Sequence, residues 1–400
     1  MTLTTRELVA ELTPEAITIV DLLHRRGPLT RLDLTSRLGM GRNAVAAHLR
    51  EALDTGIIID NGRIASTGGR APQTWAFDPS AGRILTAIVE VEAMHLAVTD
   101  LNGRVLISAS REWRIQEGPT ATLEEIVHGL HELINEGAPI WGIGVSVPGP
   151  VDHSSGRPSA PPIMPGWDDF DIPARLGEAL GVPVFVDNDV NVMALGHCDP
   201  GSSESLVFVY VSKGIGAGLV SHGRLHRGAK GAAGDIGHTR IPQSGTTVCR
   251  CGRIGCLEAS AGGWAQELLA AQIAASGVSP YLSEVLDKEH AVTAEAIAEG
   301  AAQADPSCIR FVATSASAIG DVVAVLVSFF NPDRLVFSGP LPTRAPLFLE
   351  TITRVIHEQT LSLAAESVKI EISPCALTDS IRGCARMVLD SVLAPVPQPS

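Results

Sequence analysis

The sequence predicts an α/β protein in two parts. A helix-turn-helix with a two-stranded wing occupies residues 1–78, and a two-lobed α/β body occupies residues 79–394. Three observations predict it. The first eighty residues carry three short runs of helical apolar periodicity, followed by a β-rich segment with a turn. From Arg83 onward strands alternate with helices, the order of a layered α/β fold. That order of segments recurs once, which indicates a duplicated fold with a cleft between two lobes.

In the front unit, Pro14 to Arg26 places Ala16, Ile19, Val20 and Leu23 at i, i+3, i+4, i+7, and Gly27-Pro28 ends the helix. A second helix runs from about Thr30 to Leu38, with Leu32, Leu34 and Leu38 available for burial. After the turn Gly39-Met40-Gly41, a third helix runs from Arg42 to about Thr55 on a stripe of Val45, Leu49, Ala52 and Leu53. Ile57-Ile58-Ile59, a turn at Asp60-Asn61-Gly62 and Arg63-Ile64-Ala65 read as the wing. Gly68-Gly69-Arg70-Ala71-Pro72 reads as a flexible basic connection.

In the body, 84–89, 95–99 and 104–107 form a three-stranded meander, followed by a helix over 123–135 and a buried strand at 142–146. The strands 206–210, 218–220 and 224–226 repeat the pattern. Ala-rich helices, the strand Leu335-Val336-Phe337 and a last helix from Asp379 to Leu393 complete it, and residues 395–400 read as a disordered tail.

Composition narrows the class. Apolar residues make up 45% of 400, so the chain buries a substantial core. Met1 to Glu11 has no apolar h-region, and Val322 to Phe330 is too short an apolar run to span a bilayer, so a cytoplasmic protein without a membrane partner is expected. The net charge is −14, which argues against a general polyanion binder, yet Arg25, Arg26, Arg31, Arg37, Arg42 and Arg50 are opposed only by Asp33 across their span. Helix pair, wing and local basic bias together point to a DNA-binding head. Its third helix would present Arg42, Asn43 and His48 to base edges or phosphates, since the buried stripe leaves them no core role. Arg70 would enter a narrow minor groove.

Cys249-Arg250-Cys251-Gly252-Arg253-Ile254-Gly255-Cys256, with His238 upstream, suits a tetrahedral Cys₃His zinc site. A C-x-C pair is awkward to bridge as a disulfide, and four protein ligands leave no position for water, so the zinc is expected to be structural. Glu258 follows two residues after the last ligand.

Taken together, four motifs resemble the ROK family of repressors and sugar kinases: Gly142-Ile143-Gly144-Val145-Ser146-Val147-Pro148-Gly149-Pro150-Val151-Asp152, Val186-Asp187-Asn188-Asp189-Val190-Asn191, Gly234-Asp235-Ile236-Gly237-His238, and Cys249 through Glu258. The resemblance implies an actin-like body built on two RNase H-like halves. It implies that Asn188 and Asp189 bind sugar hydroxyls, that His238 is both zinc ligand and sugar contact, and that Glu258 holds the sugar. In the family's kinases the residue matching Asp189 is the base of phosphoryl transfer.

The chain departs from the family pattern. Asp235 stands where the family has Glu, and Ile163 where it has Asn, which reshapes the expected ligand site. The first phosphate loop, Asp-x-Gly-Gly-Thr in the kinases, is replaced by Glu90-Val91-Glu92-Ala93, and the second is only partly kept as Ser212-Lys213-Gly214-Ile215-Gly216. Ser338-Gly339-Pro340 replaces a glycine pair near the adenosine site. The expectation is a repressor of carbohydrate genes, not an enzyme. It would act as a homodimer or homotetramer on a pseudo-palindromic double-stranded operator, with a sugar or phosphosugar changing the lobe angle. A ROK sugar kinase and a regulator without effector are the alternatives.

Overall fold

The computed structural model describes residues 12–63, 71–134, 137–242 and 245–394. Helix α1 (Pro14–Arg26) is capped by Thr13, whose side chain accepts from Ala16 N, and ends at Gly27 with φ 75°. Strand β1 (Leu29–Thr30) leads into α2 (Arg31–Leu38), which opens with a reciprocal capping box between Thr30 and Asp33. Helix α3 (Arg42–Asp54) buries Val45, Leu49 and Ala52. Leu34 is fully buried, but Leu32 is 67% exposed, so the expected apolar face of α2 narrows to Leu34 and the half-buried Leu38.

The wing differs from expectation. Strand β2 (Ile58–Arg63) runs straight through Asp60-Asn61-Gly62 and pairs antiparallel with β3 (Gln73–Phe77), with a register shift between Asp60 and Arg63. Gly62 N donates to Asp60 Oδ1 at 2.9 Å with φ +79° at the glycine, so the Asn-Gly step makes a bulge instead of a reversal. Ile64, Ala65 and the Gly68–Arg70 stretch lie outside the described residues, and Ala71-Pro72 lead into β3. Strand β1 pairs with the other edge of β3.

Two compact units follow. One comprises Met1–Asp189, Asp199–Ser202 and Ser380–Ser400, as far as these are described; the other comprises Val190–Cys198 and Ser203–Asp379. The first holds the winged helix and a five-stranded sheet. Strands β4 (Arg83–Val89), β5 (Ala93–Thr99) and β6 (Val105–Glu112) form the antiparallel meander. Helix α4 (Pro119–Leu133) is followed by β7 (Ile140–Val147), parallel to β4. After a hairpin of β8 (Val151–Asp152) and β9 (Arg157–Pro158), helix α5 (Ile172–Leu180) leads to β10 (Val184–Asn188), parallel to β7. The sheet order is β10-β7-β4-β5-β6.

The second unit repeats the plan. Helix α6 (Asp189–His197) begins it, and β11 (Leu206–Val211), β12 (Ile215–Ser221) and β13 (Arg224–Leu225) form its meander. After the short α7 (Glu258–Ala261) come α8 (Gly263–Ala275), α9 (Pro280–Glu289), α10 (Ala294–Ala302) and α11 (Pro306–Phe330). Strand β14 (Arg334–Ser338), helices α12 (Pro340–Arg344), α13 (Pro346–Gln359) and α14 (Ser362–Ser367) and strand β15 (Lys369–Ile372) complete a sheet ordered β13-β12-β11-β14-β15. Helix α11 is long and apolar enough to cross a membrane by length and composition, but Cys308, Val312, Ala316, Ile319, Val323 and Val327 bury it in this unit's core.

The last helix, α15 (Ala376–Val392), begins three residues before the predicted start and carries the boundary between the units within it. Its later residues do something the sequence did not announce. Ala385, Val388 and Leu389, with Leu393 just beyond, share one core with Ala16, Ile19, Val20, Leu23, Val45 and Leu49 of the winged helix. Arg25 donates to Asp390 at 2.7 Å and to Asp21 at 2.8 Å, and Gly201 lets its backbone come so close to the Arg25 carbonyl that a Cβ would lie 2.3 Å from it. The head is packed onto this unit, not tethered to it.

Candidate functional site

The cysteine segment folds back on itself because its glycines permit it. Gly252 N donates to Cys249 O and Cys249 N to Arg253 O, both at 2.8 Å, with Gly252 at φ +82° and Gly255 at φ +98°. The return limb pairs with the segment that carries His238: Ile241 N donates to Gly255 O, Leu257 N to Thr239 O and Glu258 N to Gly237 O, at 2.8–2.9 Å. That segment is pressed onto β12. A Cβ at Gly234 would lie 1.8 Å from Ala217 O, and one at Gly237 would lie 2.2 Å from Ile215 O.

This folding brings one ligand atom each from His238, Cys249, Cys251 and Cys256 within 4.8 Å of one another. Zinc bonds of about 2.3 Å to sulfur and 2.0–2.1 Å to nitrogen in a tetrahedron separate two sulfurs by about 3.8 Å and sulfur from nitrogen by about 3.6 Å. Cys251 Sγ lies 3.7 Å from Cys256 Sγ, and Cys249 Sγ 3.5 Å from His238 Nδ1. The thiols make the same point chemically. Burial pushes Cys249 up to about 12 and raises Cys256. Burial also opposes ionisation of Cys251, but the hydrogen bond from Arg253 and the neighbouring thiols outweigh it and bring Cys251 down to about 6. Protein groups alone therefore do not ionise all three sulfurs, whereas a divalent cation does. The donor set fits a zinc ion.

Glu258 opens α7 and is fixed at both carboxylate oxygens. Oε1 accepts from Trp264 Nε1 at 3.2 Å and Oε2 from Ile215 N at 3.3 Å. Arg250 lies over the Trp264 ring at 5.0 Å. Trp264 was not singled out from the sequence. Its signal was the Gly262-Gly263 pair before it, which lets the chain pass within van der Waals contact of the Ser212-Lys213 backbone. The same loop holds its own cation internally: Lys213 Nζ pairs with Glu267 at 2.7 Å, and Glu267 accepts Ala294 N at 3.1 Å with its other oxygen. Asp235 is exposed and His238 half-buried.

Asn188 and Asp189 stand at the carboxyl end of β10, where the chain enters α6. Parallel strand ends of this kind are where α/β sheets bind ligands. Asn188 Nδ2 donates to Gly149 O at 3.1 Å, which ties it to the Val147-Pro148-Gly149 turn after β7. The buried Asp187 accepts Asn188 N at 2.8 Å. Ile163 packs half-buried against the first unit's core, an apolar role in place of the amide. Residues 90–93 form a tight hairpin turn, with Glu90 N donating to Ala93 O at 2.9 Å and Glu90 3.9 Å from His95. The structure therefore places Asp235, His238, Glu258 and the cysteines together in the second unit, while Asn188 and Asp189 close the first.

On the head, Arg42 and Asn43 are exposed on the first turn of α3. His48 is not uncommitted, contrary to expectation. Its Nδ1 lies 3.0 Å from Thr13 Oγ1 and 3.3 Å from Glu51, so it helps hold the start of α1 against α3. Arg25 is engaged with Asp21 and Asp390, and Arg31 lies 5.6 Å over the Trp75 ring. Arg70 lies outside the described residues.

Comparison with known proteins places these features in context. The ROK family pattern matches residues 90–391. A putative xylose repressor of Caldicellulosiruptor sp. (strain Rt8B.4) is 30% identical over 385 residues, covering 94% of each chain. A solved ROK family transcriptional regulator, a homologue of the E. coli MLC protein, superposes with a TM-score of 0.79 at 21% identity, over 96% of this chain and 98% of its own. A ROK hexokinase from Thermus thermophilus superposes with a TM-score of 0.61 at 27% identity, but over only 76% of this chain while 97% of its own is covered.

Proposed function

The chain belongs to the ROK family, and we propose that it is a cytoplasmic repressor of carbohydrate genes whose operator binding responds to a sugar or phosphosugar. The observation that carries this reading is the winged helix itself. It exposes Arg42 and Asn43 on the recognition helix and is fused to a body that retains the sugar-contact motifs. Coverage by relatives supports it: the repressor spans nearly the whole chain, whereas the hexokinase leaves about a quarter unmatched.

Sugar recognition is assigned to Asn188, Asp189, Asp235, His238 and Glu258. Carboxylates and amides suit polyol hydroxyls, and the fixed Glu258 is pre-organised to accept. Zinc held by His238, Cys249, Cys251 and Cys256 would brace the loop that carries His238 and Glu258. An effector changes operator affinity only to the extent that it binds one conformation better than another. We further assign a homodimer or homotetramer, which a pseudo-palindromic double-stranded operator requires.

A second reading, an ATP-dependent sugar kinase, is favoured by Asp189 and by the hexokinase likeness. Against it stand the glycine-free Glu90–Ala93 turn, which sets carboxylates where the kinases bind phosphate, and a Lys213 already paired with Glu267. Genome-wide mapping of bound DNA, followed by titration of a mapped site with a sugar panel, tests the proposal. Expected are sequence-specific binding, its loss in Arg42→Ala, and a ligand that both shifts melting and changes operator affinity. Sugar-dependent ATP turnover abolished by Asp189→Asn, or the absence of any specific DNA site, overturns it.

A further inference from the structure

Two hydroxyls sealed inside the first unit lack partners. Ser146 on β7 is fully buried and Ser380 on α15 is 1% exposed, and neither Oγ has a hydrogen-bond partner among the described residues. Orphaned buried hydroxyls are costly, and in native folds an ordered water commonly completes them. The packing of α15 on β7 sets the two face to face. A Cβ at Gly142 would lie 3.0 Å from Val388, and one at Gly144 would lie 2.8 Å from Cys384 Cβ. Each two-residue step up the strand, about 6.6 Å, thus matches a four-residue step down the helix, about 6 Å. The next step brings Ser146 to Ser380, one turn before Cys384. Asp187 joins them from β10. It stands opposite Ser146 in the parallel register, hence on the same face of the sheet, and is 2% exposed. The Cys384 thiol is raised by burial and then by the Asp187 charge, which keeps the carboxylate close to this turn of the helix. All four residues belong to one compact unit.

We infer that Ser146, Ser380 and Asp187 enclose a binding site for one internal water molecule, and that this water holds the Asp187 carboxylate in place beneath Asn188. An internal water needs two to four polar partners. Each hydroxyl can give or take one bond from it. The carboxylate can accept from it while keeping its 2.8 Å bond from Asn188 N, since two carboxylate oxygens offer about four lone-pair sites. A divalent cation fits less well, because two hydroxyls and one carboxylate fall short of the six or more oxygens that such an ion gathers. The consequence is positional. Asn188 is held through its side chain by Gly149 O and through its backbone by Asp187, so whatever steadies Asp187 steadies Asn188. Ser146 and Ser380 are therefore positioning residues for Asn188. Only the effect on ligand binding rests on the sugar-contact reading above; the water site does not.

The test compares the full chain with Ser146→Ala, Ser380→Ala and the double variant, each of which removes oxygen and adds no bulk. A high-resolution crystal structure of the full chain is expected to show one water about 2.7–3.2 Å from Ser146 Oγ, Ser380 Oγ and an Asp187 oxygen. Each single substitution is expected to lower the melting temperature by roughly 2–4 °C, and the double to cost less than the sum, because both break one shared bridge. Amide exchange at Asn188 is expected to quicken roughly 5-fold relative to the rest of β10. Hydroxyls that are simply orphaned give the opposite sign, since their removal leaves melting unchanged or raised. That result, density without a water at the seam, or a cation bound there overturns the water site. Additive losses with unchanged exchange at Asn188 overturn the positioning role. Variants that behave as expected in a chain that binds no sugar refute the sugar reading and leave the water site standing.

Discussion

Leu389→Ala probes whether the DNA-binding head and the body melt as one cooperative piece. Leu389 is fully buried in the core shared by α1, α3 and the later part of α15. Truncating a fully buried leucine costs about 2–5 kcal/mol, the lost transfer energy plus the cavity left behind. We take about 3 kcal/mol, because the surroundings are packed from several elements and cannot collapse freely. For a unit of this size that lowers the melting temperature by roughly 6–12 °C. Asp390→Ala, one residue on, should cost far less. The Arg25–Asp390 pair is 2.7 Å long, but its side chains are 26% and 28% exposed, and Arg25 keeps Asp21 when Asp390 is removed. About 1 kcal/mol is the expected loss. The assay is thermal unfolding of the full chain with peptide-resolved hydrogen exchange. Exchange in α1 should rise in Leu389→Ala in step with β7, and to a smaller degree in Asp390→Ala. If Leu389→Ala accelerates exchange in the body while α1 is untouched, the head is an independent domain and the shared-core argument fails.

Four further outcomes are expected. Arg42→Ala and Asn43→Ala should each weaken binding to a mapped operator by about 1–3 kcal/mol, with melting unchanged because both residues are exposed; unchanged affinity in both would remove α3 as the recognition element. Elemental analysis should find one zinc per chain, lost in Cys256→Ser together with effector response; a full response in the verified zinc-free protein would exclude the bracing role. His24 is half-buried, with both ring nitrogens shielded from solvent and neither hydrogen-bonded, packs edge-on against Phe77 at 5.0 Å, and has its pKa lowered from 6.5 by desolvation. The unfolded chain therefore takes up a proton that the folded chain refuses, so stability is full above pH 6.5 and falls as pH drops below it; denaturant titrations should show this slope vanish in His24→Leu. Gly234→Ala should destabilise the second unit severely, because a Cβ would lie 1.8 Å from Ala217 O at a φ of +93°; near-native melting of that variant would contradict the close approach.

What was legible in the sequence was local. The three helices of the head follow from apolar periods and capping residues within a dozen positions, and the cysteine spacing encodes its own turn through Gly252 and Gly255. The meander strands and the buried strand at 142–146 were likewise readable from short apolar runs. What was missed depends on partners distant in the chain. The Asp60-Asn61-Gly62 stretch looks like a reversal, but a strand ten residues later offered better pairing, and Gln73 and Thr74 secured the bulge through Asp60 and Gly62. His48 seemed free because the α3 stripe excludes it, yet Thr13 reaches it from the start of another helix. The joint between head and body joins residues 16–49 to residues 385–393, and no window of sequence contains both.

The loop that matches the kinases' second phosphate loop shows how such a segment can be satisfied without phosphate. A phosphate loop leaves donors and cations that must find other partners once no phosphate arrives, since unpaired buried groups are costly. Here Lys213 and the backbone at Ile215 have found them. Lys213 is neutralised by Glu267, Glu267 is in turn held by Ala294 N, and Ile215 N is met by the Glu258 carboxylate. The first loop has dispensed with glycine altogether and closes as a short turn through Glu90 and Ala93. A phosphate entering the loop at Lys213 would have to break the Lys213–Glu267 pair. A sugar approaching Glu258 meets an acceptor that is already aimed. The groups of the loop at Ser212–Gly216 are thus tied into the protein, which suits the sensing body proposed above.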